Sequence, residues 1–225
     1  MTDFVLTMLN SVMSDGLSAE KFAAASSAST LAAETLKGVM KRRHATAVRI
    51  LLEELKAGKT TPSDSDVPEV IAALFRFQRA AEEGAARLNL RLMGAVFAGQ
   101  VVHRSMTADE FLYLADILAP LKREEVILLG TFARLCEDGG PALEPRDLQL
   151  RAIQELVPDV FDNVDAFMAT AGALLRTGFV MASVPPTNYA AQMSGFIYRP
   201  THLLSRLSRL LDIEGVVKRH EADLS

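Results

Sequence analysis

The stretch from Gly172 to Leu211, GALLRTGFVMASVPPTNYAAQMSGFIYRPTHLLSRLSRLL, decides how the chain is read. It opens at the end of a helix, because Leu174 and Leu175 continue an apolar pattern from Phe167 and Gly178 suits a helix C-cap. Two short runs with alternating apolar residues follow, Phe179–Val184 and Gly195–Arg199, and predict the arms of a β-hairpin. The loop between them holds Pro185, Pro186, Thr187, Asn188 and Tyr189. Thr201, just after Pro200, is placed to cap a helix whose stripe is Leu203, Leu204, Leu207, Leu210 and Leu211. The stretch therefore reads as helix end, hairpin, helix.

Upstream, Thr107 and Glu110 have the spacing of a capping box, with Met106 and Phe111 placed to staple it, and Pro120 ends the helix that they open. A second helix is expected over Glu124–Glu137, stopped by Gly139-Gly140-Pro141. A third begins near Pro145, runs through Leu148, Ile153 and Leu156, and closes at Pro158. A fourth starts at Asp162 or Asn163 and reaches Gly178. Helices, then a hairpin, then a leucine-rich helix is the order of a winged-helix unit, expected over residues 106–219. The fold class that follows is mainly α, a helical bundle with a C-terminal winged-helix-like unit containing a short β-hairpin.

Residues 66–104 form a central long helix region, either one interrupted helix or two stacked ones. Val70, Leu74, Phe77, Ala81, Leu88, Leu92 and Phe97 recur at helical intervals. Arg76, Arg79, Arg87 and Arg91 fall on one side as an expected solvated face, with Glu83 and Arg87 spaced for an i,i+4 pair. Asp66 and Glu69 have capping-box spacing at its start. Before it, GKTTPSDSDV at Gly58–Val67 is the best linker in the chain. Residues 1–60 are an N-terminal helical segment in which small residues recur every four positions: Ala24, Ala28 and Ala32, and Ala25, Ser29 and Ala33. Such a face packs closely, either on the body of the fold or on a second copy. The second reading predicts a homo-oligomer.

A chain of 225 residues with nearly half its residues apolar is globular. Its net charge of −4 argues against nonspecific nucleic-acid binding by the whole molecule, though not by a local patch. Cys136 is the single cysteine, so no internal disulfide or cysteine-based zinc site can form, and a reducing, cytoplasmic setting is expected. Its place among Leu128, Leu129, Phe132 and Leu135 reads as a small buried hydrophobe rather than a nucleophile. No run approaches the roughly 18 apolar residues of a membrane span, and the N-terminus lacks the basic start of a signal peptide.

The four histidines have no metal-ligand spacing, and no Walker loop, nucleophile elbow or dinucleotide fingerprint is present. Asp159, Asp162 and Asp165 straddle a helix start, where capping explains them better than a cation does. The expectation is a protein without cofactors, metal or catalytic site.

Charge nominates the remaining surfaces. Lys41, Arg42 and Arg43, followed by His44, are the densest positive run; it is either a solvated helix face or a site for anions or an acidic partner. From Arg176 to Arg219 six cations face two anions, which nominates Arg199, Arg206, Arg209, Lys218 and Arg219 as contacts for phosphates. The helix expected at Asn163–Thr177 stands where a winged helix reads bases, yet Arg176 is its only cation, so direct readout is disfavoured.

Four stretches together resemble the abortive-infection alpha type of bacterial proteins: LAAETLKGVMKRRHATAVRIL, RAAEEGAARLNLRLMGAVFAG, FLYLADILAPLKREEVILLGTFARL, and GALLRTGFVMASV followed by GFIYRPTHLLSRLSRLL. The resemblance spans roughly residues 31 to 211 and lies in layout and hydrophobic pattern. It implies a role in phage resistance and supplies no functional residue. The expected function is a non-enzymatic protein-interaction module with a protein partner. The alternative is a winged-helix DNA-binding regulator, with any nucleic-acid binding weak.

Overall fold

The computed structural model describes residues 27–59, 67–103, 107–139, 144–184 and 195–225. Among these the chain is mainly helical, with a two-stranded antiparallel hairpin near the C-terminus. None of the described helices is long and apolar enough to cross a membrane. The chain divides into two compact units between Pro120 and Leu121. The Ala108–Leu118 helix thus groups with the preceding helices, although the sequence had placed it in a C-terminal unit starting at 106. It packs against the two helices over 67–103, which accounts for that grouping.

The first unit contains α1 (Ser27–Ala57), α2 (Val67–Glu83), α3 (Arg87–His103) and α4 (Ala108–Leu118). α2 and α3 are the two stacked helices, separated where Gly84 takes φ +91, a left-handed turn that glycine adopts without strain. This break also prevents the expected Glu83–Arg87 pair, and Glu83 accepts instead from Arg79 one turn earlier in α2. α3 is the core of the unit, buried without interruption from Leu88 to Gln100. α1 meets it with Ala47, Ile50, Leu51 and Leu55, a helical stripe.

A helix buried on every side must satisfy its polar side chains internally. Asn89 donates to the carbonyls of Leu118 and Ala119 at 2.7 and 3.0 Å, capping the end of α4. Arg91, read from sequence as part of a solvated face, is 2% exposed and donates to Glu54 at 2.8 Å and Glu53 at 2.6 Å. Glu54 is itself 1% exposed. The reversal has a simple cause: α3 has no solvent face in this region, so position on a helix wheel does not imply water. Arg76 ties α2 to α4 through Asp116 at 2.7 Å. At the start of α4 the capping box forms as expected, with Glu110 N–H donating to Thr107 Oγ1 and Thr107 N–H to Glu110. Asp66, Glu69 and Met106, also expected in caps, lie outside the described residues or have undescribed side chains.

The second unit contains α5 (Arg123–Gly139), α6 (Pro145–Leu156), α7 (Val164–Ala173), β1 (Val180–Ser183), β2 (Ile197–Pro200), α8 (His202–Ser208) and α9 (Ile213–Ala222). α7 tightens into a 3-10 turn at Leu174–Thr177, and Gly178 (φ +72) ends it as the expected left-handed cap. Asn163, rather than a neighbouring aspartate, caps the start by accepting from Ala166 N–H. The core centres on Phe132, Phe161 and Phe167, whose rings meet edge to face at centroid separations of 6.4 and 5.5 Å.

β1 and β2 pair in antiparallel register with Ala182 opposite Tyr198 and Met181 opposite Arg199. Val180 and Tyr198 are buried, so one face of the ribbon rests on the helices. Gln149, buried in α6, fixes the ribbon: its Oε1 accepts from Tyr198 N–H at 2.6 Å. Thr201 stands at the start of α8, but its hydroxyl donates to Gly178 O rather than capping the helix. The leucine stripe is also divided. α8 ends at Ser208, Leu211 is buried in the turn beyond it, and Asp212 caps a separate helix, α9, by accepting from Gly215 N–H. Arg134 joins α5, α6 and α9 through Glu155 and Glu214, and its pKa is raised by the Glu214 hydrogen bond against the opposing effect of burial.

Arg91→Met removes the cation paired with buried Glu54 and is expected to destabilise the protein by about 3–5 kcal/mol in urea unfolding. Adding Glu54→Met removes the buried carboxylate as well and should recover much of that loss. Equal losses in the single and double variants would contradict this account of the pair.

Candidate functional site

α7 is the helix to which the winged-helix expectation assigned base reading. Phe167, Ala171 and Leu174 give its buried stripe. Ala166, Ala169, Thr170 and Ala173 lie at i, i+3, i+4 and i+7 on a neighbouring face, where Ala169 and Ala173 are exposed. Between Val164 and Ala173 the only charged side chain is Asp165. The hydroxyl of Thr170 is turned back onto its own helix and donates to Ala166 O at 3.0 Å.

Arg176 is the one cation of the segment, and it is committed. Its guanidinium makes a bidentate pair with Glu125 of α5, at 2.6 and 2.8 Å, and donates a further bond to Ala173 O. The Glu125 side chain is 3% exposed. Burial pushes its carboxyl pKa up. Hydrogen bonds from Arg176 and from Lys122 N–H, with the positive charges of both residues, outweigh burial and hold it below the ordinary value. The same bond raises the pKa of Arg176.

Beside this pair, the start of α5, the 157–163 turn and α7 enclose an open groove of about 360 Å³. Its apolar wall comprises Val160, Phe161 and the alanines of α7, and its rim carries Lys122, Glu124 and Asp162. Val164 and Leu175, at the two ends of the α7 segment, are exposed large hydrophobics. The groove was not legible in sequence because the α7 side of its wall is made of alanines, which read as helix formers without any chemistry. The available signal was the Ala166–Ala169–Ala173 spacing beside a helix with no base-reading side chain.

The basic residues nominated from sequence are divided between the two units. Lys41 and Arg42 are exposed on α1 in the first unit. Arg43 donates to Glu82 O at 3.0 Å and closes the end of α2, so it serves as a helix cap. His44 is half-buried, and desolvation lowers its pKa against the opposing charge of Glu82. In the second unit Arg199 is exposed on β2, Arg206 on α8, Arg209 just after α8 and Lys218 on α9, while Arg219 is half-buried. They occupy three elements and the turn after one of them. Ala28, Ser29, Ala32 and Ala33 lie on α1, but their side chains, like all of Ala24 and Ala25, fall outside the described residues.

Cys136 is half-buried beside a second cavity of about 260 Å³, which Ser205, Ser208 and Arg209 also line. Burial, helped by the charge of Glu137, raises its thiol pKa, so the side chain stays protonated near neutrality. Among the described residues no three His, Cys, Asp or Glu side chains are placed to hold a metal ion. Comparison of the chain with protein-family models, with curated proteins and with solved structures finds no match.

The depressed pKa of Glu125 has a pH consequence. Its contribution to stability is fully present above the unfolded carboxyl value and is lost as pH falls through the folded one. The stability difference between the native protein and Arg176→Met should therefore be largest near neutrality and shrink on acidification. Urea unfolding at steps between about pH 7 and pH 3 measures it. A difference that stays constant across that range would show that the pair is electrostatically idle.

Proposed function

We propose that this protein is a non-enzymatic protein-interaction module whose C-terminal unit is a winged-helix variant that has exchanged base reading for partner binding. The observation that carries the reading is the chemistry of α7. Base discrimination needs Arg, Lys, Asn or Gln on the helix that enters the groove, at about 1–3 kcal/mol for each good bidentate contact. α7 offers alanines, an aspartate and a threonine turned inward, and Arg176 is held by Glu125. A helix of this composition repels phosphates at its start and packs against protein along its length.

The setting we propose is the cytoplasm of a bacterium in conflict with phage, which is what the abortive-infection resemblance implies. A homo-oligomer held by the small-residue face of α1 belongs to the same proposal. Light scattering of the full chain and of a form beginning near Leu36 would register it as a fall in mass. Two monomers of matched folding would remove it.

The alternative, a DNA-binding regulator, rests on the exposed cations of β2, α8 and α9. Those residues would meet phosphates and carry no base specificity. Duplex binding in gel shifts should accordingly be weak, fall steeply with salt, and be equal for specific and scrambled sequences. Arg199→Ala, Arg206→Ala and Arg209→Ala combined should abolish most of it. Tight binding to one duplex that survives high salt would make the regulator the correct reading.

A further inference from the structure

We infer that the groove between the start of α5 and α7 receives the apolar ridge of a basic amphipathic helix from a partner protein. This rests on the protein-binding reading above and gives it a location and a partner chemistry. The wall of the groove is apolar and shallow-sided, because Ala166, Ala169 and Ala173 present only methyl groups beside Phe161. Small residues three and four apart leave a furrow along a helix, and the ridge of a second helix fits such a furrow.

Charge selects the partner. Glu124 and Asp162 stand on the rim, and Asp165 lies in the first turn of α7. None of these three makes an ion pair among the described residues, whereas Glu125 already has Arg176. Lys122 is the single opposing charge on the rim. The margin is therefore acidic around an apolar floor. Lysines or arginines flanking a hydrophobic ridge complement it, an acidic helix is repelled, and the phosphates of a nucleic acid are repelled more strongly.

The full chain, labelled with nitrogen-15, is titrated with a helical Leu/Lys amphipathic peptide, with its Leu/Glu counterpart of the same apolar pattern, and with a duplex DNA. Amide shifts caused by the Leu/Lys peptide should cluster over 122–125 and 160–173, the two walls of the groove, and the Leu/Glu peptide should bind at least about tenfold more weakly. Asp162→Lys and Ala169→Arg both change exposed positions and leave the fold intact by circular dichroism. Each should weaken Leu/Lys binding by about tenfold or more, while Glu137→Lys, an exposed reversal outside the groove, should not. Shifts centred away from 122–125 and 160–173, or equal loss in Glu137→Lys, would mean attraction to an acidic protein in general and would overturn the inference. A dimer by light scattering that Ala169→Arg dissolves would overturn it too, in favour of a second copy. If neither peptide nor duplex moves the 160–173 amides, the groove assignment alone fails. If the duplex moves them, the protein-binding reading fails with it.

Discussion

A carboxylate that leaves water must be met by a cation, and Glu125 meets Arg176. On that requirement the reading of the second unit depends. The pair spans from the start of α5 to the turn that ends α7, so it positions α7 over the phenylalanine cluster and consumes its one cation. The first unit obeys the same rule in a drier place. Arg91 and Glu54 are both almost fully buried and form an ion pair, with Glu53 as a second carboxylate on Arg91. In both units a charge that the sequence offers as surface chemistry is spent on architecture.

How much of this was legible can be argued residue by residue. The hairpin was readable because alternation at Phe179–Val184 and Gly195–Arg199 has a period that no helix shares, and the strands observed are Val180–Ser183 and Ile197–Pro200. The Thr107–Glu110 capping box was readable because both of its bonds are local. Asp212 as a cap was missed because Leu207, Leu210 and Leu211 continue an apolar spacing across the turn, which hides the break between α8 and α9. Arg91 was misassigned because helical periodicity gives relative faces. Whether a face meets water depends on neighbours contributed from 37 residues away in sequence.

The candidate site was legible mainly by exclusion. The absence of base-reading side chains on α7 could be read directly, but the commitment of Arg176 could not, since Glu125 is 51 positions distant. Within the basic run at Lys41–Arg43 all three side chains are exposed, and the bond from Arg43 to the end of α2 could not be read from sequence because Glu82 is 39 positions distant. The groove is a product of tertiary structure, drawn from three segments between Lys122 and Ala173.

The central claim is that α7 and its cation are unavailable to nucleic acid. The side-chain Nε–Hε resonance of Arg176, followed by NMR while a duplex is titrated at low salt, tests it most directly. Held by Glu125, that resonance should keep its position at saturating duplex, even where exposed arginines such as Arg199 shift. Movement of the Arg176 resonance together with the amides of 164–173 would contradict the claim.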